Sequence, residues 1–149
     1  MVPTYTMSCF QLPKTLCHDL ESMMQSFWWG QRDKENKIAW VNWRKMCRYK
    51  LHGGMGFQNI QAFNLAMLAK QAWRILSNLN SPMAQVFKSK YFPYGDFLNS
   101  KLGSNPSYAW RSIHNSLEVI RRGTRWRVGN GCRIYIWDDR CCLRHQPTR

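Results

Sequence analysis

Apolar residues recur along most of the chain at helical spacing. After Leu12-Pro13, the residues Leu16, Leu20, Met23, Met24 and Phe27 fall at i, i+4, i+7, i+8 and i+11. This predicts an amphipathic helix that ends near Trp28-Trp29-Gly30 and turns its apolar face to the core. Residues 31–36 are polar and charged and read as a loop, after which Trp40 and Trp43 lead into a short helical piece with Lys45, Met46 and Cys47. Gly53-Gly54-Met55-Gly56-Phe57 then breaks the chain. The longest helix is predicted from about Ile60 to Leu76. Leu65, Leu68, Ala69, Ala72, Ile75 and Leu76 form one broad apolar face; Asn64, Gln71, Arg74 and Asn78 lie on the opposite stripe with Lys70 beside it. Ser81-Pro82 reads as an N-cap followed by an N1 proline, opening a shorter helix with Met83, Val86, Phe87 and Tyr91 inward until Pro93 stops it. Gly95 to Pro106 is loop. Ser107 caps a last helix in which Trp110, Ile113, Leu117 and Ile120 repeat at i, i+3, i+7 and i+10, closed by Arg121-Arg122 and a C′ glycine, Gly123.

Beyond Gly123 the period changes from helical to two. Arg125 to Val128 and Cys132 to Trp137 alternate around Gly129-Asn130-Gly131, the pattern of a β-hairpin. Alternation sends Trp126 and Val128 to one side and Arg125 and Arg127 to the other, so one register gives the hairpin an Arg/aromatic face. The predicted fold class is therefore mainly α: a helical domain of about four to five helices with a small C-terminal β-hairpin. The expected division is 1–123 helical, 124–140 hairpin and 141–149 tail. At 149 residues the chain is long enough for one core, since a fold of this size hides about 68–70% of the surface of its unfolded chain.

Charge adds a partner to this picture. Lys and Arg number 22 against 8 acids, a net charge of +14, and the pI near 10.0 is that of nucleic-acid-binding domains. No acid occurs from Asn36 to Gly95, yet that stretch carries Lys37, Arg44, Lys45, Arg48, Lys50, Lys70, Arg74, Lys88 and Lys90. From Arg111 onward every cation is Arg, suited to planar contact with phosphates and base edges. Trp28, Trp29, Trp40 and Trp43 interleave with Lys37, Arg44 and Lys45 as in single-strand binders, although each indole taken alone reads first as core. The candidate nucleic-acid contacts are thus Arg44, Lys45, Lys50, Lys70, Arg74, Lys88, Lys90, Arg121, Arg122, Arg125 and Arg127, with Trp40 and Trp43 for stacking. The six cysteines come without a secretion signal and no apolar run reaches the roughly 18 residues of a membrane span. Reduced thiols inside the cell, in nucleus or mitochondrion, and no membrane partner are the expectation.

Catalytic chemistry finds little support. Two-metal phosphoryl transfer needs converging carboxylates. Asp138-Asp139 is the one adjacent acidic pair; Tyr135 stands one residue too far upstream for the Tyr-x-Asp-Asp pattern of polymerases, and the pair reads as a strand-end turn. A ribonuclease H centre also needs an acid cluster, which a chain with no acid between Glu35 and Asp96 supplies poorly. Cys132, Cys141, Cys142 and His145 are spaced C-x8-C-C-x2-H, an awkward way to place tetrahedral zinc ligands. Cys9, Cys17 and Cys47 read as small apolar fillers. Gly53-Gly54-Met55-Gly56 lacks the Gly-Lys-Ser/Thr ending of a phosphate loop. No metal, no cofactor and no catalytic residue are expected, and the chain is not an enzyme on its own.

An ordered set of motifs spans nearly the whole chain. It begins Pro3-Thr4-Tyr5-x-Met7-Ser8-x-Phe10-x-Leu12-Pro13, then Phe27-Trp28-Trp29-Gly30, Ile38-x-Trp40, Trp43 and Gly53-Gly54-x-Gly56-Phe57. Phe63-Asn64-x-Ala66-x-Leu68-Ala69-Lys70-Gln71-x-Trp73-Arg74 and Lys90-Tyr91-Phe92-Pro93 follow. Gly103-Ser104-Asn105-Pro106-Ser107-Tyr108-x-Trp110-Arg111-Ser112-Ile113, Gly123-x-x-Trp126-Arg127-x-Gly129-x-Gly131 and Ile136-Trp137-x-Asp139 complete it. The set closely resembles plant LINE-type, non-LTR retrotransposon reverse transcriptases. It is also similar to short open reading frames of plant mitochondrial genomes and to proteins named for ribonuclease H. In that family these motifs lie between the polymerase palm and a zinc-binding-like segment with any ribonuclease H domain. The resemblance therefore implies that residues 1–123 are a thumb or connecting region. Cys141 stands where the family usually has Trp, and the chain stops at Arg149, which suggests a truncated element. The implied function is a non-catalytic fragment that at most binds template–primer, RNA or DNA, beside the rest of the polyprotein. The alternatives are a translated remnant with no selected function or a protein-interaction module.

Overall fold

The computed structural model describes residues 4–30 and 38–124. Its order is α1 (Thr4–Cys9), α2 (Lys14–Trp28), α3 (Trp43–Met46), a 3-10 turn (Lys50–His52), α4 (Ile60–Ser77), α5 (Pro82–Tyr91), a second 3-10 turn (Phe97–Asn99), α6 (Tyr108–Asn115) and α7 (Leu117–Gly123). The described residues contain no strand, and the hairpin predicted over Arg125 to Trp137 lies outside them. Mainly α is therefore the observed class, in seven helical pieces among the described residues rather than four to five. The surplus has two sources. α1 is only six residues and leaves no periodic trace. The last helix is split at Ser116, whose N–H and hydroxyl both donate to the Ile113 carbonyl, at 3.0 and 2.6 Å, tightening the turn into α7.

α4 is the centre, touching α1, α2, α6 and α7. Its N-terminus is capped twice. The Asn59 side chain accepts the Ala62 N–H at 2.7 Å, and Glu21 reaches from α2 to accept the Ile60 N–H at 3.1 Å, an anion at the positive end of the helix. Its C-terminal half supplies Ala69, Ala72 and Ile75 to the main core, with Ala84 from α5, Phe92, Phe97, and Trp110, Ile113, Leu117 and Ile120 from α6 and α7. Trp110 is fully buried. Tyr91 stacks on it at 4.5 Å, while Phe87, Phe92 and Phe97 surround it at 5.5, 5.8 and 6.0 Å. Each such pair adds about 0.5–1.5 kcal/mol to plain burial. Ser81 and Ser107 cap α5 and α6 as predicted, accepting the Ala84 and Trp110 N–H groups at 3.3 Å.

The N-terminal half of α4 holds a smaller core of Met7, Cys17 and Ile60, flanked by Leu12, Leu20, Met24 and Phe63. Here polar contacts do much of the joining. Asn64, predicted on the outer stripe of α4, is instead 2% exposed. Its amide donates to the Met7 and Phe10 carbonyls at 2.6 and 2.9 Å and accepts the Leu12 N–H at 2.9 Å, satisfying backbone groups where α1 ends. Gln11 is bound to α6 in the same manner: its N–H donates to Ser112 Oγ at 3.0 Å, and its carbonyl and side chain accept from Tyr108 and Asn115 at 2.7 and 2.9 Å.

Three further expectations need correction. The apolar face of α2 is not all core: Cys17 is buried and Leu20 and Met24 half-buried, but Leu16, Met23 and Phe27 are exposed, because α2 rests on α3 and α4 along one side only. In α5 the inward stripe is Ala84, Phe87 and Tyr91; Met83 and Val86 face out, since the helix is rotated to present its small residue and rings to Trp110. Gly123 is the last residue of α7 and not a left-handed cap; Thr124 closes the helix, its N–H and hydroxyl both donating to the Ile120 carbonyl at 2.7 Å.

Candidate nucleic-acid interface

On α4 the cations come together with an aromatic. Ala62, Ala66, Lys70, Trp73, Arg74 and Ser77 form its solvent side. Trp73 keeps 49% of its surface exposed, one helical turn from Lys70 and adjacent to Arg74. Arg74 donates to Gln71 Oε1 at 3.3 Å and otherwise faces solvent. The residues needed for core packing occupy the other face, so this stripe presents charge and an indole without cost to the fold. Trp73 was not among the candidates; the signal that could have found it is helical spacing, which puts the indole on the cationic side of the apolar stripe.

A second group is built by the glycine loop. Gly53 and Gly56 adopt φ of 75° and 73°, open to glycine at no steric cost. Gly54 passes so close to Arg48 that a Cβ there would meet the Arg48 carbonyl oxygen at 2.0 Å. The loop returns Met55 and Phe57 to donate to the Met46 carbonyl, at 3.0 and 3.2 Å. Phe57 is thereby set between Trp43 (5.2 Å) and Trp28 (4.8 Å, edge-on). Trp43 is consequently core, 6% exposed, its Nε1 buried without a partner among the described residues. It is corrected from stacking candidate to packing residue, whereas Trp40 is 77% exposed. Arg44, Lys45 and Lys50 are exposed on α3 and the turn after it. Arg44 also borders a cleft of about 360 Å³ with His18, Glu21, Ser22, Gln25, Asn42 and Trp43.

The remaining cations are divided by the structure. Lys88 and Lys90 occupy the last turn of α5, where cations complement the helix dipole, and Lys90 Nζ lies 5.4 Å from the Tyr91 ring centre. The Tyr91 hydroxyl sits below its ordinary pKa of 10.0, chiefly through hydrogen bonding with the Ser107 side chain and then through the Ser107 N–H that donates to it at 2.9 Å. Arg121 donates through Nε to the Leu98 carbonyl at 3.1 Å, and Arg122 pairs with Glu118 at 2.6 Å within α7. Arg125 and Arg127 lie outside the described residues. Sequence reasoning did not pair Lys14 with Arg111 or name either as a candidate contact; both line a cleft between the start of α2 and α6. Among the described residues no three of His, Cys, Asp and Glu gather where a metal ion would fit.

Neither a family model nor a solved structure matches the chain. Over 147 residues it is 40% identical to the "Uncharacterized mitochondrial protein AtMg00310" of Arabidopsis thaliana, covering 98% of this chain and 96% of that protein. The chain belongs to that protein's family. A longer relative is the Arabidopsis thaliana protein named "Putative ribonuclease H protein At1g65750", 32% identical over 143 residues. The match takes in 93% of this chain but 23% of that protein. The family's sequence thus stands both nearly alone, as in the mitochondrial relative, and as under a quarter of a larger protein. No helix among the described residues is long and apolar enough to cross a membrane.

Proposed function

We propose that the chain is a non-catalytic nucleic-acid-binding module derived from a plant non-LTR retroelement, gripping RNA–DNA template–primer when it is part of a reverse transcriptase. The Lys70–Trp73–Arg74 stripe of α4 carries the reading, since exposed cations beside an exposed indole supply phosphate contact and base stacking at once. Trp40, Arg44, Lys45 and Lys50 extend the same chemistry. The net charge of +14 and the name of the longer relative support it. Filter binding to an RNA–DNA hybrid across a salt series tests it: each neutralised phosphate steepens the log–log slope by about 0.9. A slope of several is expected; a flat titration, or no binding at low salt, removes the reading. Magnesium- or manganese-dependent primer extension and hybrid cleavage should both be blank, and activity abolished by Asp138→Ala with Asp139→Ala would overturn the non-catalytic part.

The exposed Leu16, Met23 and Phe27 of α2 favour a second reading, in which this surface packs on another part of a longer chain. Met23→Ser with Phe27→Ser would then abolish self-association at high concentration while leaving hybrid affinity intact.

A further inference from the structure

Lys14, at the first position of α2, and Arg111, in the second turn of α6, line one cleft of about 250 Å³. Its other walls are Gln11, Leu12, Pro13, Tyr108 and Ser112, and no acid is among them. The polar wall groups are engaged with one another. Ser112, 1% exposed, accepts the Gln11 N–H at 3.0 Å and donates to the Tyr108 carbonyl at 2.8 Å, while the Tyr108 hydroxyl donates to the Gln11 carbonyl at 2.7 Å. The frame is therefore fixed, and the two cations have no hydrogen bond or ion pair within it. Neither has an acid three or four residues away on its own helix: Cys17 and His18 follow Lys14, and Ser107, Tyr108, His114 and Asn115 flank Arg111.

We propose that this cleft is a phosphate-binding site. A guanidinium gives a tetrahedral oxyanion two parallel donors and an ammonium adds a mobile point charge. Pro13, the N-cap of α2, makes no side-chain cap bond and lies in the cleft wall with Lys14, so the positive end of that helix adjoins the cleft. The phosphate has two chemical sources: a phosphodiester of bound nucleic acid, which rests on the reading above, or the free phosphate of a small ligand, which does not.

Two measurements on the full chain separate them. In a titration with inorganic phosphate followed by amide NMR, saturable shifts confined to Lys14, Thr15, Leu16 and Arg111 are expected. Lys14→Gln with Arg111→Gln should remove them, and Lys101→Gln, an exposed cation elsewhere, should not. Shifts that never saturate, or that spread evenly over all surface cations, overturn the site. In the second measurement, the double variant should flatten the salt slope for hybrid binding by about 1.8 if both cations meet phosphodiesters. Local phosphate shifts with an unchanged slope assign the site to a small phosphorylated ligand. If the unaltered chain binds no hybrid at all, the nucleic-acid reading falls and the phosphate titration alone still decides the cleft.

Discussion

The two halves of the molecule are held by different forces. Around Trp110, residues from α4 to α7 make a core of interlocking rings and aliphatic side chains in which burial is nearly complete. Around Met7, Cys17 and Ile60 the core is small, and α1, α2 and their linker are tied to α4 and α6 through Asn64, Glu21 and Gln11. Burial is non-directional and tolerates rearrangement among side chains of similar volume, while each hydrogen bond of the second region specifies one partner. Leu16, Met23 and Phe27 remain exposed on the half whose attachment relies on directed bonds.

The largest effect should come from the ring cluster. Trp110→Ala is expected to cost about 3–5 kcal/mol, the range for truncating a buried aromatic, measured by urea unfolding. Trp110→Phe should cost much less, since it keeps a ring and deletes an indole N–H that is buried without a partner among the described residues. Asn64→Leu comes next, at about 1–3 kcal/mol, chiefly for the Met7 carbonyl, whose bond to Asn64 is the fully buried one. Hydrogen exchange should then quicken at Leu12 and α1 while Ile113 to Ile120 stay protected; a uniform loss would dissolve the distinction between the halves. Gly54→Ala must push the loop off the Arg48 carbonyl, at about 1–3 kcal/mol by the usual run of such changes, and should release the Met55 and Phe57 amides before any others.

Smaller still is the charge effect, which lies on the surface and not in either core. Lys70→Gln with Arg74→Gln should flatten the hybrid-binding salt slope by about 1.8 without moving the unfolding midpoint. The thiols give the finest test. Burial, then the negative charge of Glu21, raises both Cys17 and Cys47 above the ordinary 9.0. Folding makes each bind its proton more tightly, so the stability linked to them is intact below about pH 9 and is lost as pH rises through the raised values. Glu21→Gln should bring both titrations down, followed by thiolate absorbance; no change would exclude the carboxylate as a cause.

Local chemistry was legible in the chain and remote chemistry was not. Ser81, Ser107 and the Trp110–Ile113–Leu117–Ile120 stripe announce themselves because caps and helical faces are set within a few residues. Asn64 misled, since a polar residue reads as solvent-facing until carbonyls 54 and 57 residues away are brought to it. In the candidate interface, Lys70 and Arg74 stand exposed where helical spacing put them and Arg44 and Lys45 are exposed too, while Trp43 is drawn inward by Phe57 from beyond the glycine loop. The pairing of Lys14 with Arg111 left no trace, because only the docking of Gln11 on α6 brings them to one cleft.

That docking also fixes an order of events during synthesis. Gln11 satisfies its N–H, carbonyl and side chain on residues 101, 97 and 104 positions later. At about 5–20 residues per second the ribosome needs roughly 5–20 seconds to deliver them. For that interval α1 and α2 are outside or near the exit tunnel without α6, with Leu16, Met23 and Phe27 still uncovered at the end of it. The N-terminal helices are thus the portion for which a chaperone, or the preceding part of a longer polypeptide, has the most time to act.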